Sequence, residues 1–281
     1  MVAWKRANYT GGGDTNRPYT FSMRVIVVGA GPAGAALSLL LARAGCSVTL
    51  LERETEFGRV FRGEGLMPLG LEVLHQMGLR ERMRSVPGDA FECWEIYLDG
   101  RLTLKIDEPR EALGDLAFRV ASPGALIALL VEEAGRHAGF SFRPGTSVRG
   151  VLHERERVAG VRVSTPTGDE EVRGDLVVGA DGRSSVVRTR SGLALSLLPE
   201  EYDLLWFKAE VPGWMQGTNP MQIYASGAAA ALSYVSWDGR WQVAWLLEKG
   251  TWRELKHRDW LAACAALMPK PLGARGSVRS G

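Results

Sequence analysis

The chain of 281 residues carries 34 basic and 32 acidic side chains, a formal net charge of +2, with 46% hydrophobic and 23% charged residues. That balance excludes a disordered chain, and near-neutral charge argues against nucleic acid as the main partner. Three cysteines (Cys46, Cys93, Cys264) and four histidines, all scattered, argue against a disulfide framework or a protein-ligated metal.

In chain order, residues 1–22 are polar and aperiodic and read as a disordered tail. Residues 25–42 form an uncharged run that resembles a membrane span, but Gly29, Gly31, Pro32 and Gly34 interrupt it. The expectation is therefore a strand over 25–28, a turn, and a helix over 33–44, with no transmembrane segment. Gly45 suits a helix stop, and a second strand over 47–51 ends at Glu52. Strand, helix and strand in this order imply a parallel pair with a right-handed crossover.

Helical spacing over 66–77 stops at Gly78, and 91–106 alternates around an Asp99-Gly100 turn. A helix over 122–138 has Ser122 as cap and Pro123 in its first turn. Residues 141–172 read as a meander and 175–180 as an apolar strand. Strand-like runs follow at 204–211, 221–225, 230–237 and 241–247, the last two joined at Asp238-Gly239. One amphipathic helix is expected over 251–268, then an irregular tail over 269–281.

Gly29, Gly31 and Gly34 form a GxGxxG pattern, which alone means little in a chain with 34 glycines. Its setting gives it weight. Gly29 permits the tight turn, Gly31 lets a pyrophosphate approach the backbone, and Gly34 lets helix pack on strand. Pro32 and Ala33 open the helix, whose free N–H groups favour an anion. Glu52 is placed to accept ribose hydroxyls, with Arg53 beside it. A second signal is the strand that delivers Asp181-Gly182, followed by Ser184, Ser185 and Arg188.

This pairing resembles the class A flavoprotein monooxygenases, the p-hydroxybenzoate hydroxylase type, over roughly residues 23–268. The resemblance implies FAD as cofactor, with the glycine turn on its ADP half and Asp181-Gly182 touching both FAD and NADH or NADPH. Residues 62–79 resemble the family's arginine-glycine turn and flavin-side helix, so Arg62 joins the cofactor-binding candidates. Arg119 matches the arginine that reaches the phosphate–ribityl region. The implied activity is an NAD(P)H-consuming monooxygenase that transfers one oxygen atom from dioxygen to a small apolar or aromatic substrate. No catalytic acid or base is assigned. Glu64 and His75 lie in the flavin-side stretch and read first as satisfied structural groups.

The expected fold is α/β: a Rossmann-like parallel sheet with helices on both sides and an inserted meander, interleaved with a mostly antiparallel substrate domain. The FAD-binding part takes residues 23–90 and 119–199, the substrate part 91–118 and 200–268. Seven of nine tryptophans follow residue 200, and Trp241, Val243 and Trp245 share a strand face, read as sheet core before aromatic pocket wall. The family's third fingerprint, a GDAAH-like motif, is not found, so the chain reads as C-terminally truncated. The alternatives are a flavin-dependent reductase of isoprenoid double bonds or a non-catalytic FAD-binding remnant; a halogenase is disfavoured because the WxWxIP signature is absent. The setting is expected to be cytoplasmic.

Overall fold

The computed structural model describes residues 23–58 and 63–268. The tails expected at 1–22 and 269–281 and the candidate Arg62 lie outside the described residues. Strand β1 (Arg24–Val28) leads through α1 (Pro32–Arg43) into β2 (Ser47–Leu51), and both strands run parallel. β1 also pairs in parallel with β11 (Leu176–Gly179), and β2 with β7 (Phe140–Arg143), giving the order β11-β1-β2-β7.

Both faces of β1 are buried, as parallel strands require. Val25 and Val27 join Val48 and Leu50 in one cluster, which reaches Ala42 at the end of α1. Behind it, α1 packs with α2 (Pro68–Gln76), α3 (Arg80–Met83) and α5 (Pro123–Gly135) through Leu39, Leu71, Met83 and Ile127. Each such side chain contributes about 1.5–3 kcal/mol on leaving water. Ile26 and Val28 turn to the opposite face and meet Val151, Val161 and Val163 of the meander and Val187 of α6 (Val186–Arg190). The meander comprises β8 (Ser147–Glu154), β9 (Arg157–Thr165) and β10 (Gly168–Arg173), in the order β10-β9-β8.

Three expectations are corrected. Helices cover one face fully and the other only in part: the meander takes most of that second face beside the short α6, because its alternating valines supply an apolar surface there. Residues 141–143 leave the meander and, with Phe140, pair with β2, since Phe140 and Phe142 pack with the parallel strands. The single helix over 251–268 is two, α7 (Trp252–Leu255) and α8 (Trp260–Leu267). Asp259 restarts the helix by accepting the Ala262 N–H at 2.9 Å.

The second sheet has six strands, ordered β12-β15-β14-β13-β4-β5. They are β4 (Cys93–Leu98), β5 (Arg101–Asp107), β12 (Tyr202–Ala209), β13 (Met221–Ser226), β14 (Ala229–Val235) and β15 (Trp241–Glu248). All neighbours are antiparallel except β4 and β13. The short α4 (Arg110–Leu113) follows β5, and β3 (Gly65–Leu66) pairs with β6 (Arg119–Val120). Trp241, Val243 and Trp245 are buried with Ala263, Cys264 and Leu267 of α8, so this face is sheet core. The opposite face carries Trp94, Trp206 and Tyr234, which pack with Phe91 and Phe118 where the two halves meet. Phe91 stacks on Phe118 at 4.6 Å and meets Tyr234 edge-on at 5.6 Å. No helix among the described residues is long and apolar enough to cross a membrane.

Candidate cofactor site

A cavity of about 700 Å³ opens at the carboxyl ends of β1, β2 and β11, where ligands of open α/β sheets bind. Val28 ends β1, and Gly29 turns the chain with φ of +99°, a region that favours glycine. A Cβ at Gly29 would lie 2.5 Å from the Ala180 carbonyl oxygen, and one at Gly34 would collide with the Gly29 carbonyl oxygen. These two glycines therefore let turn, helix and β11 approach one another. Gly31 differs. Its φ of −70° and ψ of 177° suit any residue, and a Cβ there would meet nothing within 4 Å. The space it leaves belongs to the cavity it lines.

Gly31 caps α1 without a side-chain acceptor, Pro32 follows, and the first turn holds no acidic residue. The opening amides keep their partial positive charge for an anion. Glu52 closes the other wall. Its Oε2 accepts the Ala30 N–H at 2.8 Å and its Oε1 the Glu54 N–H at 3.1 Å. Each carboxylate oxygen retains a further lone pair for a ligand hydroxyl. One carboxylate thus shapes the glycine turn and faces the cavity.

Asp181 and Gly182 line the third wall. The Asp181 carboxylate is used locally: Oδ2 accepts the Val186 N–H at 2.6 Å and the Val187 N–H at 3.2 Å, and the Ser185 hydroxyl donates to Oδ1 at 2.5 Å. It builds the turn that carries Gly182, whose φ is +81°.

The structure thus brings Gly29, Gly31, Glu52, Arg53, Asp181 and Gly182 to one cavity. Pro32, Ala33 and Gly34 stand in or beneath the helix opening and do not line it. Arg53 pairs with Glu54 at 3.0 Å. Arg119 and Arg188 are not among the lining residues: Arg119 donates to the Gly88 carbonyl at 2.8 Å, and Arg188 to that of Arg183 at 2.9 Å. Sequence reasoning missed Thr146, Ser147 and Arg149, which line the cavity from the start of β8. Their one signal was the Pro144-Gly145 turn, which sets β8 beside the end of β2: Thr146 N–H donates to the Glu52 carbonyl at 2.7 Å.

Residues 22–268 match the family model described as FAD binding domain. Among curated relatives, 6-methylpretetramide 4-monooxygenase of Streptomyces rimosus is 34% identical over 236 residues, covering 83% of this chain and 55% of that protein. Dialkyldecalin synthase of Streptomyces rugosporus is 32% identical over 190 residues, covering 67% and 39%. The chain therefore spans about half the length of the curated relatives it matches, or less. Among solved structures, p-nitrophenol 4-monooxygenase PnpA of Pseudomonas putida DLL-E4 superposes with a TM-score of 0.73 at 20% identity, covering 88% of this chain and 63% of that one.

Proposed function

The chain belongs to the FAD binding domain family, and from that premise we propose that it is the cofactor-holding and substrate-facing part of an FAD-dependent monooxygenase. The observation that carries the reading is the space at Gly31, between uncapped helix amides and the Glu52 carboxylate. This donor set suits the ADP half of FAD. The α1 amides would hold the pyrophosphate, Glu52 the adenosine ribose, and Gly182 would let the opposite backbone come close.

FAD supplies the redox chemistry when bound: electrons from NADH or NADPH, and transfer of one oxygen atom of dioxygen to a small apolar or aromatic substrate. The protein's part is to bind, orient and exclude water. We assign the FAD-binding part to residues 23–90 and 119–199 and the substrate part to 91–118 and 200–268. That division is supported by β4 and β5, which leave the parallel half to join the six-stranded sheet. Arg119 and Arg188 remain proposed cofactor contacts beyond the cavity. Three buried free thiols fit a cytoplasmic setting.

The test is to purify the chain with FAD and record its visible spectrum. A yellow protein that bleaches anaerobically with NADPH or NADH and regains colour in air supports the reading, and a colourless one that ignores added FAD refutes it. The likeness to dialkyldecalin synthase, whose name is not that of an oxygenase, favours a second reading: FAD retained without oxygen transfer. A yellow protein that no nicotinamide bleaches would support it.

A further inference from the structure

A partly buried lysine meets a buried glutamate at the junction of the two sheets, away from the cavity. Glu64 is 4% exposed, and both its oxygens are engaged from the six-stranded sheet. Lys208 Nζ, on β12, lies 2.9 Å from Oε1, and the Ser236 hydroxyl, just past β14, donates to Oε2 at 2.5 Å. Lys208 also donates to Ser236 Oγ at 2.7 Å and to Asp238 at 2.8 Å, and lies 5.6 Å from the centre of the Trp237 ring.

The backbone of Glu64 belongs to the other half. Ala121 N–H donates to its carbonyl at 2.9 Å, the next residues pair with β6, and Leu66 packs on the α1–α2–α5 core. Most of the remaining junction is aromatic and apolar, and apolar contact is non-directional. A buried ion pair adds little net stability over apolar replacements, but it is directional and penalises any arrangement that separates its members.

The geometry points to Glu64 and Lys208 as a positioning pair for the proposed oxidation, fixing the segment that opens β3 against the six-stranded sheet and so the seating of the two halves on each other. This inference rests on the function proposed above. Its test uses the full chain with two optical probes. Among the described residues every tryptophan lies on the six-stranded sheet or the segments packed with it, whereas the longest helices, α1, α5 and α2, lie in the parallel half. Urea unfolding followed by tryptophan emission and by far-UV circular dichroism therefore weights the two halves differently.

The wild type is expected to show coincident transitions, and Lys208→Met or Glu64→Gln separated ones, with Lys208→Arg restoring coincidence. With FAD added, the single variants should keep the cofactor yet lose the fine structure of its visible band, a signature that general destabilisation does not produce. Should a single variant fail to fold, the Glu64→Gln/Lys208→Met double variant, which leaves no lone buried charge, is read in the same way. Coincident transitions in the variants, or a Lys208→Arg protein that behaves like Lys208→Met, would overturn the inference. A wild type that takes up no FAD would defeat the proposed function alone, because the unfolding comparison still decides the role of the pair.

Discussion

Replacing Gly31 by alanine separates the fold from the ligand. The backbone there already has φ of −70° and ψ of 177°, and the added methyl meets no protein atom within 4 Å. Two small effects on the chain oppose each other. Alanine restricts the unfolded state, which stabilises by about 0.4–1 kcal/mol, and it is a poorer helix cap than glycine by a similar amount. The net change in stability should stay within about 1 kcal/mol. The methyl, however, stands where the diphosphate would touch the backbone. Overpacking of that kind costs about 1–3 kcal/mol, or roughly 5- to 150-fold in affinity. Thermal unfolding of the FAD-free chain gives the first quantity, and quenching of FAD emission on titration gives the second. Wild-type affinity in Gly31→Ala, or a loss of fold, would refute the argument. Gly34→Ala is the control: its methyl collides with the Gly29 carbonyl, so it should lose the fold first.

Glu52→Ala removes the acceptor of the buried Ala30 amide, costing about 1–3 kcal/mol in the FAD-free chain, and also weakens FAD binding; Glu52→Gln should recover stability more than affinity, as parallel unfolding and titration curves would show. Asp181→Ala removes three local hydrogen bonds and should lower stability by about 2–3 kcal/mol, read from urea denaturation. Arg24 donates through its guanidinium and its backbone N–H to Asp175 and holds that carboxyl down at about 2. Between pH 4 and 2 the unfolded chain therefore binds a proton that the native chain refuses, so this contribution, present above that window, is lost as pH falls through it. Asp175→Asn should flatten the melting temperature against pH there.

The opening unit was legible because several local signals agree on it. A β-branched run, a glycine turn, an uncharged helix and a strand ending in Glu52 each have one physical meaning, and the structure places them within a residue or two. Ser122 as helix cap was equally local, and its Oγ accepts the Ala125 N–H. What stayed hidden depends on pairing across the chain. Nothing near residues 140–143 says that they add to β2 rather than start the meander, and nothing near Thr146 says that its amide meets Glu52. Arg119 and Arg188 read from the sequence as cofactor contacts, yet both donate to nearby carbonyls. Glu64 read as a satisfied structural group, but its partners lie some 144 and 172 residues onward, beyond any sequence pattern.

The parallel pairing of β4 with β13 has a consequence for synthesis. Glu95 and Gln222, hydrogen-bonded across it, stand 127 residues apart. The β4–β5 hairpin therefore leaves the ribosome long before its inner neighbour exists, with the backbone edge of β4 that β13 later pairs still open. Such distant closure slows folding, and a nascent chain that waits so long is open to aggregation. Holding factors during translation, or a lower growth temperature, should raise the soluble yield far more than they would for a protein assembled from neighbouring hairpins.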